Sequence, residues 1–276
     1  MNARSALFDL YGDHLRPRGG RAPVAALVRM LAPLEVAPPA VRTAVSRMVA
    51  QGWLAPERLP GGPGYALTPR AVRRLDEAAA RIYRTHAGWD GQWHLVVTPR
   101  LPRRAARERL RAGMGFLGYA PIDDSTWLGP RDSPEVDALL GTQGAAAECF
   151  TARHVGESRR LVARAWDLDE LAAAYEAWII DAERLVLESG PAPSDEEAFA
   201  LRSRLVHEWR KFLFRDPGLP AELLPPGWPG ARAAALFDAE ATRLAPAAAR
   251  FVEGCLPPAP EPAPGPAHEQ EDNHRA

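Results

Sequence analysis

Within the first 84 residues, three helical apolar stripes precede two strand-like stretches around a glycine-rich tip, and few small architectures use that order. Ala6, Leu7, Leu10 and Tyr11 recur at helical spacing and predict a helix over residues 3–14. Arg16-Pro17-Arg18-Gly19-Gly20-Arg21 breaks it. Pro23 suits a first helical position, and Val24, Leu27, Val28 and Leu31 give the i, i+3, i+4, i+7 stripe of a second helix. A third is predicted over about 39–51, with Val41, Ala44, Val45, Met48 and Val49 on one side and Gly52 as its stop. Two strands, Trp53–Leu59 and Tyr65–Thr68, flank Pro60-Gly61-Gly62-Pro63-Gly64 as a hairpin. Thr68 and Pro69 then open a fourth helix, with Val72, Leu75, Ala79 and Tyr83 on one face.

This is the order of a winged helix-turn-helix. That fold requires a third helix with an apolar back, docked on the first two, and a short polar front that fits the major groove of DNA. Arg42, Thr43, Ser46 and Arg47 supply the front. Arginine can hold a guanine edge with two donors, while serine and threonine reach phosphates or bases. In the hairpin, Arg58 and Tyr65 are placed to touch the minor groove or the backbone, and Arg16, Arg18 and Arg21 to contact phosphates. The charge distribution agrees. Residues 1–84 carry 13 arginines against 6 acids, a net of +7, whereas the remainder carries 21 basic residues against 29 acids, a net of −8. Lys211 is the single lysine, so the asymmetry says more than the abundance of arginine.

Beyond a first boundary near 86, residues 87–165 alternate strand and helix: a strand at Trp93–Thr98, an arginine-rich helix at Pro102–Met114, a strand at Trp127-Leu128, a helix at Pro134–Leu140 and a strand at Glu148–Val155. That alternation predicts a small α+β sandwich. Residues 166–255 read as helical. Asp167 with Glu170, and Ser194 with Glu197, form capping pairs, and Pro246 is expected to interrupt the last helix. From 256 to 276 the chain is proline-rich and acidic, with too few apolar residues to offset the entropy of ordering, and is expected to be disordered.

Several function classes drop out. No apolar run is long enough to span a membrane, and the first residues do not form a signal peptide, so a cytoplasmic protein is expected. Cys149 and Cys255 are the only cysteines and lie far apart, which argues against a disulfide framework and a thiolate metal site. His14, His86, His94, His154 and His207 are scattered, His268 and His274 sit in the acidic tail, and no nucleophile elbow or phosphate-binding loop occurs; no catalytic residue, metal or cofactor is assigned. Two alternatives to a DNA-binding regulator are a metal-dependent nuclease using the middle domain and a non-catalytic adaptor that binds protein. The first lacks a carboxylate where the first strand of that domain ends, at Val97-Thr98-Pro99-Arg100, though Asp123-Asp124 lie further on.

A family resemblance runs along the chain. Ser5-Ala-Leu-Phe-Asp-Leu-Tyr-Gly-Asp13, Arg16-Pro-Arg-Gly-Gly20, Val41-Arg-Thr-Ala-Val-Ser-Arg-Met48 and Gly52-Trp-Leu54 resemble the opening of the PaaX family of transcriptional repressors. The likeness continues in Trp89-Asp-Gly-Gln-Trp93, Ala165-Trp-Asp-Leu168, His207-Glu-Trp-Arg-Lys-Phe212, Arg215-Asp-Pro217 and Leu223-Leu-Pro-Pro-Gly-Trp-Pro-Gly230, covering about residues 4–255. The resemblance implies an N-terminal winged helix, a middle ferredoxin-like domain that carries dimerisation, and a helical C-terminal domain. It also implies a homodimer on double-stranded operator DNA, released by an acyl- or aryl-coenzyme A effector, phenylacetyl-coenzyme A in the type member. Arg42, Thr43, Ser46 and Arg47 match the DNA-reading positions. The tip Pro60–Gly64 departs from the more basic wing of the family, and Trp209 stands where tyrosine is expected. A coenzyme A thioester needs cations beside apolar walls, and His207, Trp209, Arg210, Lys211 and Arg215 form the candidate effector cluster.

Overall fold

The computed structural model describes residues 1–83, 89–141 and 146–258. The first boundary expected near 86 and most of the tail fall outside these residues. The architecture is mixed α+β, in three parts.

In the first part, helix α1 (Ala3–Asp9) is capped by the Asn2 side chain and continues through a π-helical stretch, Leu10–Leu15. Strand β1 (Arg21–Pro23) leads into α2 (Val24–Leu31) and, after a tight turn, α3 (Pro38–Ala50). In that turn Glu35 takes a left-handed conformation, φ 59°. The hairpin β2 (Leu54–Leu59) and β3 (Gly62–Leu67) completes a three-stranded sheet in the order β1-β3-β2. Its tip needs glycine: Gly61 and Gly62 have φ of 87° and 114°. A side chain at Gly64 would meet the carbonyl of Ala22 at 2.7 Å, so only glycine lets β1 lie against β3 there. Thr68 caps α4 (Pro69–Ile82) by accepting from the Ala71 amide.

The middle part runs β4 (Trp93–Val97), α5 (Arg104–Phe116), β5 (Ala120-Pro121), β6 (Thr126–Gly129), α6 (Glu135–Gly141) and β7 (Glu148–Ala152). Its antiparallel sheet has the order β5-β6-β4-β7, the arrangement of a β-α-β-β-α-β unit. One face packs on α5 and α6 through Val96, Trp127, Leu110, Met114 and Leu140. The other is covered by α7 (Ser158–Ala165) and by Leu219 and Leu223 from a later turn.

Three long helices form the last part: α8 (Leu168–Ser189), α9 (Asp195–Trp209) and α10 (Pro229–Cys255). Ser194 and Glu197 make a complete capping box, whereas at Asp167 only the forward bond to the Glu170 amide forms. Pro246 does not interrupt α10, contrary to expectation. Pro246 and Thr242 face solvent, so the Thr242 carbonyl that loses its amide partner can bond water. Leu244, Ala248 and Val252, all buried, hold the helix on course past the break. No single helix among the described residues is long and apolar enough to cross a membrane.

The first and last parts share a core. Phe199 of α9 and Ala248, Val252 and Cys255 of α10 pack in one cluster with Leu7, Tyr11, Leu27, Met30 and Met48. Helix α4 then joins all three parts. Arg81 donates to the carbonyls of Phe116 (2.5 Å) and Leu213 (2.8 Å), and Arg74 lies 4.1 Å over the Phe116 ring and pairs with Glu135.

Candidate nucleic-acid interface

Helix α3 owes its position to its sequence pattern. Val41, Ala44, Val45 and Met48 are buried against α1 and α2, and this fixes which arc faces out. The helical segments 24–34 and 38–50 are set at 120° to each other, with only residues 35–37 between them. Arg42, Thr43, Ser46 and Arg47 all stand on the exposed arc. Among the described residues, neither Arg42 nor Arg47 has an ion-pair partner, so both guanidiniums keep their donors free. Thr43 Oγ1 donates to Pro39 O and Ser46 Oγ to Arg42 O, both at 3.0 Å. These hydroxyls therefore present acceptor lone pairs outward and would have to rotate to donate.

The remaining residues singled out for this role divide into two groups. Arg58 is exposed on β2, two residues before the hairpin tip, without a charged partner among the described residues. Tyr65 is half-buried against the core, and its carbonyl accepts from the Tyr11 hydroxyl at 3.1 Å. Arg16 donates to Gly12 O at 3.2 Å and pairs with Asp76 at 2.5 Å, tying the π-helical stretch to α4. Arg18 donates to His14 O and pairs with Glu253 of α10 at 3.2 Å. Arg21 pairs with Glu57 across the sheet at 3.1 Å, but remains more than half exposed. The free cations thus line α3 and the hairpin, and the engaged ones brace the frame behind them.

That frame contains a polar network that the sequence analysis missed. Asp13, at 6% side-chain exposure, receives both Nε and a terminal nitrogen of Arg202 at 2.8 Å, and the Tyr83 hydroxyl at 2.5 Å. Burial works against the Asp13 charge, but His14, Arg202 and Tyr83 together hold its carboxyl below the ordinary range. One helical turn earlier, Asp9 is 3% exposed, with His207 Nδ1 at 2.7 Å and Arg210 Nε at 2.5 Å. Burial pushes the Asp9 carboxyl up, with the His207 hydrogen bond and the Arg210 charge opposing. His14 lies against Phe199, ring centroids 4.9 Å apart, and burial pulls its imidazole down to about 4. Two carboxylates four residues apart inside an apolar stripe were the available signal, since a buried charge requires a partner. Their partners lie 189 and 198 residues away, which no local pattern reveals.

The five residues of the candidate effector cluster are therefore dispersed. His207 and Arg210 turn onto Asp9. Trp209 is buried, stacked on Phe237 at 4.8 Å, and its indole donates to Ile82 O at 3.2 Å. Lys211 pairs with Glu208 at 2.5 Å, and Arg215 is exposed. None of them lines either of two shallow concavities in the middle part. One, of about 260 Å³, lies among Thr98, Leu101, Arg107 and Trp127, and the other, of about 340 Å³, among His154, Arg160 and Arg164. Thr98 at the end of β4 bonds Ser125 O through its own amide and hydroxyl. Asp123 accepts from Ser125 and Thr126 to close a turn, and Asp124 pairs with Arg100 at 3.3 Å.

Comparison with known proteins places these features in a lineage. Residues 2–71 match the family described as PaaX-like protein, residues 86–162 its central Cas2-like domain and residues 166–254 its C-terminal domain. The chain is 31% identical over 264 residues to the Transcriptional repressor PaaX of Escherichia coli (strain K12), covering 91% of this chain and 83% of that protein. It also resembles in fold a solved structure, uncharacterized protein Rv0674 from Mycobacterium tuberculosis. The TM-score is 0.57 and the identity 24%, over 92% of this chain and 98% of the other.

Proposed function

The chain belongs to the PaaX family, and on that premise we propose that it is a DNA-binding transcriptional repressor. Its α1–α3 and β1–β3 are read as a winged helix-turn-helix with α3 in the major groove. The observation that carries the reading is the exposed arc of α3, where Arg42 and Arg47 stand without ion-pair partners among the described residues, on a helix set at 120° to its predecessor. Paired helices at about 90–120° across a three- or four-residue turn are the geometry that lets a second helix protrude into a groove.

In this reading Arg42 and Arg47 read base edges, Thr43 and Ser46 contact bases or phosphates, and Arg58 follows the backbone from the wing. Arg21 supplies a phosphate contact at the rim. Arg16, Arg18 and Tyr65 hold the frame. Two copies bind paired half-sites as a homodimer, with groove spacing set by the dimer. The controlled genes are a catabolic operon of the phenylacetate type. The effector is an acyl- or aryl-coenzyme A thioester, for which phenylacetyl-coenzyme A is the first candidate. Its binding acts by favouring a body arrangement that misplaces the two heads. The network of Asp9 and Asp13 with α9 makes such coupling physically direct, since any shift of α9 moves α1, and with it the support of α3.

Fluorescence-anisotropy titration against promoter fragments tests the reading. Binding to a preferred fragment is expected to weaken steeply with salt and to reverse on addition of phenylacetyl-coenzyme A. Absence of preference among promoter fragments at low salt defeats the repressor reading. Preference that no coenzyme A thioester relieves defeats only the effector.

A further inference from the structure

Helix α10 ends close to the hairpin. Arg29 donates to the Cys255 carbonyl, Arg18 pairs with Glu253 at 3.2 Å, and Leu256 packs on the core shared by the first and last parts. The chain then passes over the wing tip. A Cβ placed on Gly61 would stand 3.4 Å from the Pro257 ring and 3.6 Å from Pro23. The residues that follow 258 therefore set out from the tip of the hairpin, three positions beyond Arg58.

Those residues and that surface carry opposite charge. Residues 259–276, outside the described ones, contain Glu261, Glu269, Glu271 and Asp272 against Arg275, a net of −3 with histidines neutral. Arg58 on β2, and Arg42 and Arg47 on α3, are exposed and have no ion-pair partner among the described residues. The hairpin's own acid, Glu57, is taken up by Arg21. Length permits a meeting. A proline-rich chain can span about 3.1 Å per residue, which puts Glu269 to Asp272 up to about 34–43 Å from Pro258. Strand β2 covers about 20 Å of the way back from the tip, and Arg47 stands one helical turn before the end of α3.

We propose that the acidic tail seats on the exposed cations of α3 and the hairpin of its own chain, and that DNA must displace it. The proposal rests on the DNA-binding reading above and adds a regulation of that surface. Each charge pair in the contact is weak and screened by salt. The tether compensates, because a short linker holds the tail near its target at an effective concentration of the order of millimolar. Duplex DNA, with its denser line of phosphates and its base edges, displaces the tail, but binds less tightly than it would to a bare surface.

Two measurements on the full chain test this, the first without DNA. Lys211 is the single lysine, so Arg47→Lys adds one side-chain amine on the α3 arc. A zero-length carbodiimide is expected to couple that amine to Glu269, Glu271 or Asp272 of the same chain, as peptide mapping reads. Arg111→Lys sets the same amine on an exposed position of α5 in the middle part and is expected to couple to the tail far less. Equal coupling at the two positions, or coupling only between two copies, overturns the proposal. In the second measurement, Glu261→Gln, Glu269→Gln, Glu271→Gln and Asp272→Asn are combined. This variant is expected to bind a preferred fragment about threefold or more tighter at low salt, the gain fading as salt rises. Unchanged affinity overturns the proposal and leaves DNA recognition standing. Failure of both the wild-type and the neutralised chain to bind any promoter fragment defeats the DNA-binding reading instead, and the coupling pattern then decides the tail contact by itself.

Discussion

Helices α3 and α9 both carry arginines beside an apolar stripe, but those of α3 stand on the opposite arc whereas Arg202 of α9 lies within the stripe, among Ala198, Phe199, Leu205 and Val206, and the structure treats them in opposite ways. On α3, Arg42 and Arg47 face solvent with no ion-pair partner among the described residues. On α9 and the turn that follows, Arg202, His207 and Arg210 are taken up by Asp13 and Asp9 of the first helical segment. What separates the exposed cations of α3 from the engaged ones is whether a counter-charge is packed against them by the same chain. A guanidinium already held by a carboxylate in a dry site has little left to offer a phosphate. One without such a partner gains on meeting DNA and loses only its hydration.

The largest effect should come from breaking the structural side of this contrast. Arg202→Ala leaves Asp13 buried without its bidentate partner and should cost about 3–5 kcal/mol in urea denaturation. A stability change below about 1 kcal/mol would mean the site admits water. Next is the pH response of the same network. The His14 ring is held neutral in the fold, its pKa depressed from 6.5 to about 4 by burial. In the unfolded chain the ring takes up a proton as pH falls below 6.5, so stability is present above that value and is lost down to about 4. The loss amounts to roughly 3 kcal/mol. His14→Phe keeps the contact with Phe199 and should flatten this limb of a stability–pH series, while a variant that keeps the full slope would assign it to other groups.

Smaller effects belong to the exposed cations. Arg47→Ala should weaken binding to a preferred fragment by about 1–3 kcal/mol and relax the preference at one base position, with the denaturation midpoint unmoved. Equal weakening on all sequences would make Arg47 a phosphate contact. Lys211→Ala removes an exposed pair with Glu208 and should change stability by less than about 0.5 kcal/mol, as calorimetry can check.

Local patterns carried much of the fold. The third helix, predicted over about 39–51, spans Pro38–Ala50, and the hairpin lies where the glycine-rich tip put it. Both signals are short-range, one a 3.6-residue period and the other the left-handed backbone of Gly61 and Gly62. Strands β1 and β5, of three and two residues, went unread because they are too short to show alternation and exist only by pairing with β3 and β6. Pro246 misled for a related reason: propensity disfavours it in a helix, but burial on either side of it decides.

The exposed face of α3 was therefore settled by the chain's own periodicity, because the apolar residues that dock the helix also determine which residues remain outside. Tertiary structure alone decided which arginines are spent. The partner of Arg18 is 235 residues distant and that of Arg202 is 189, and pairing over such separations is set by how the C-terminal helices close on the head. Charge compensation acts through space at a few ångströms. A sequence can declare that Asp9 and Asp13 need cations, but only the packed fold supplies them.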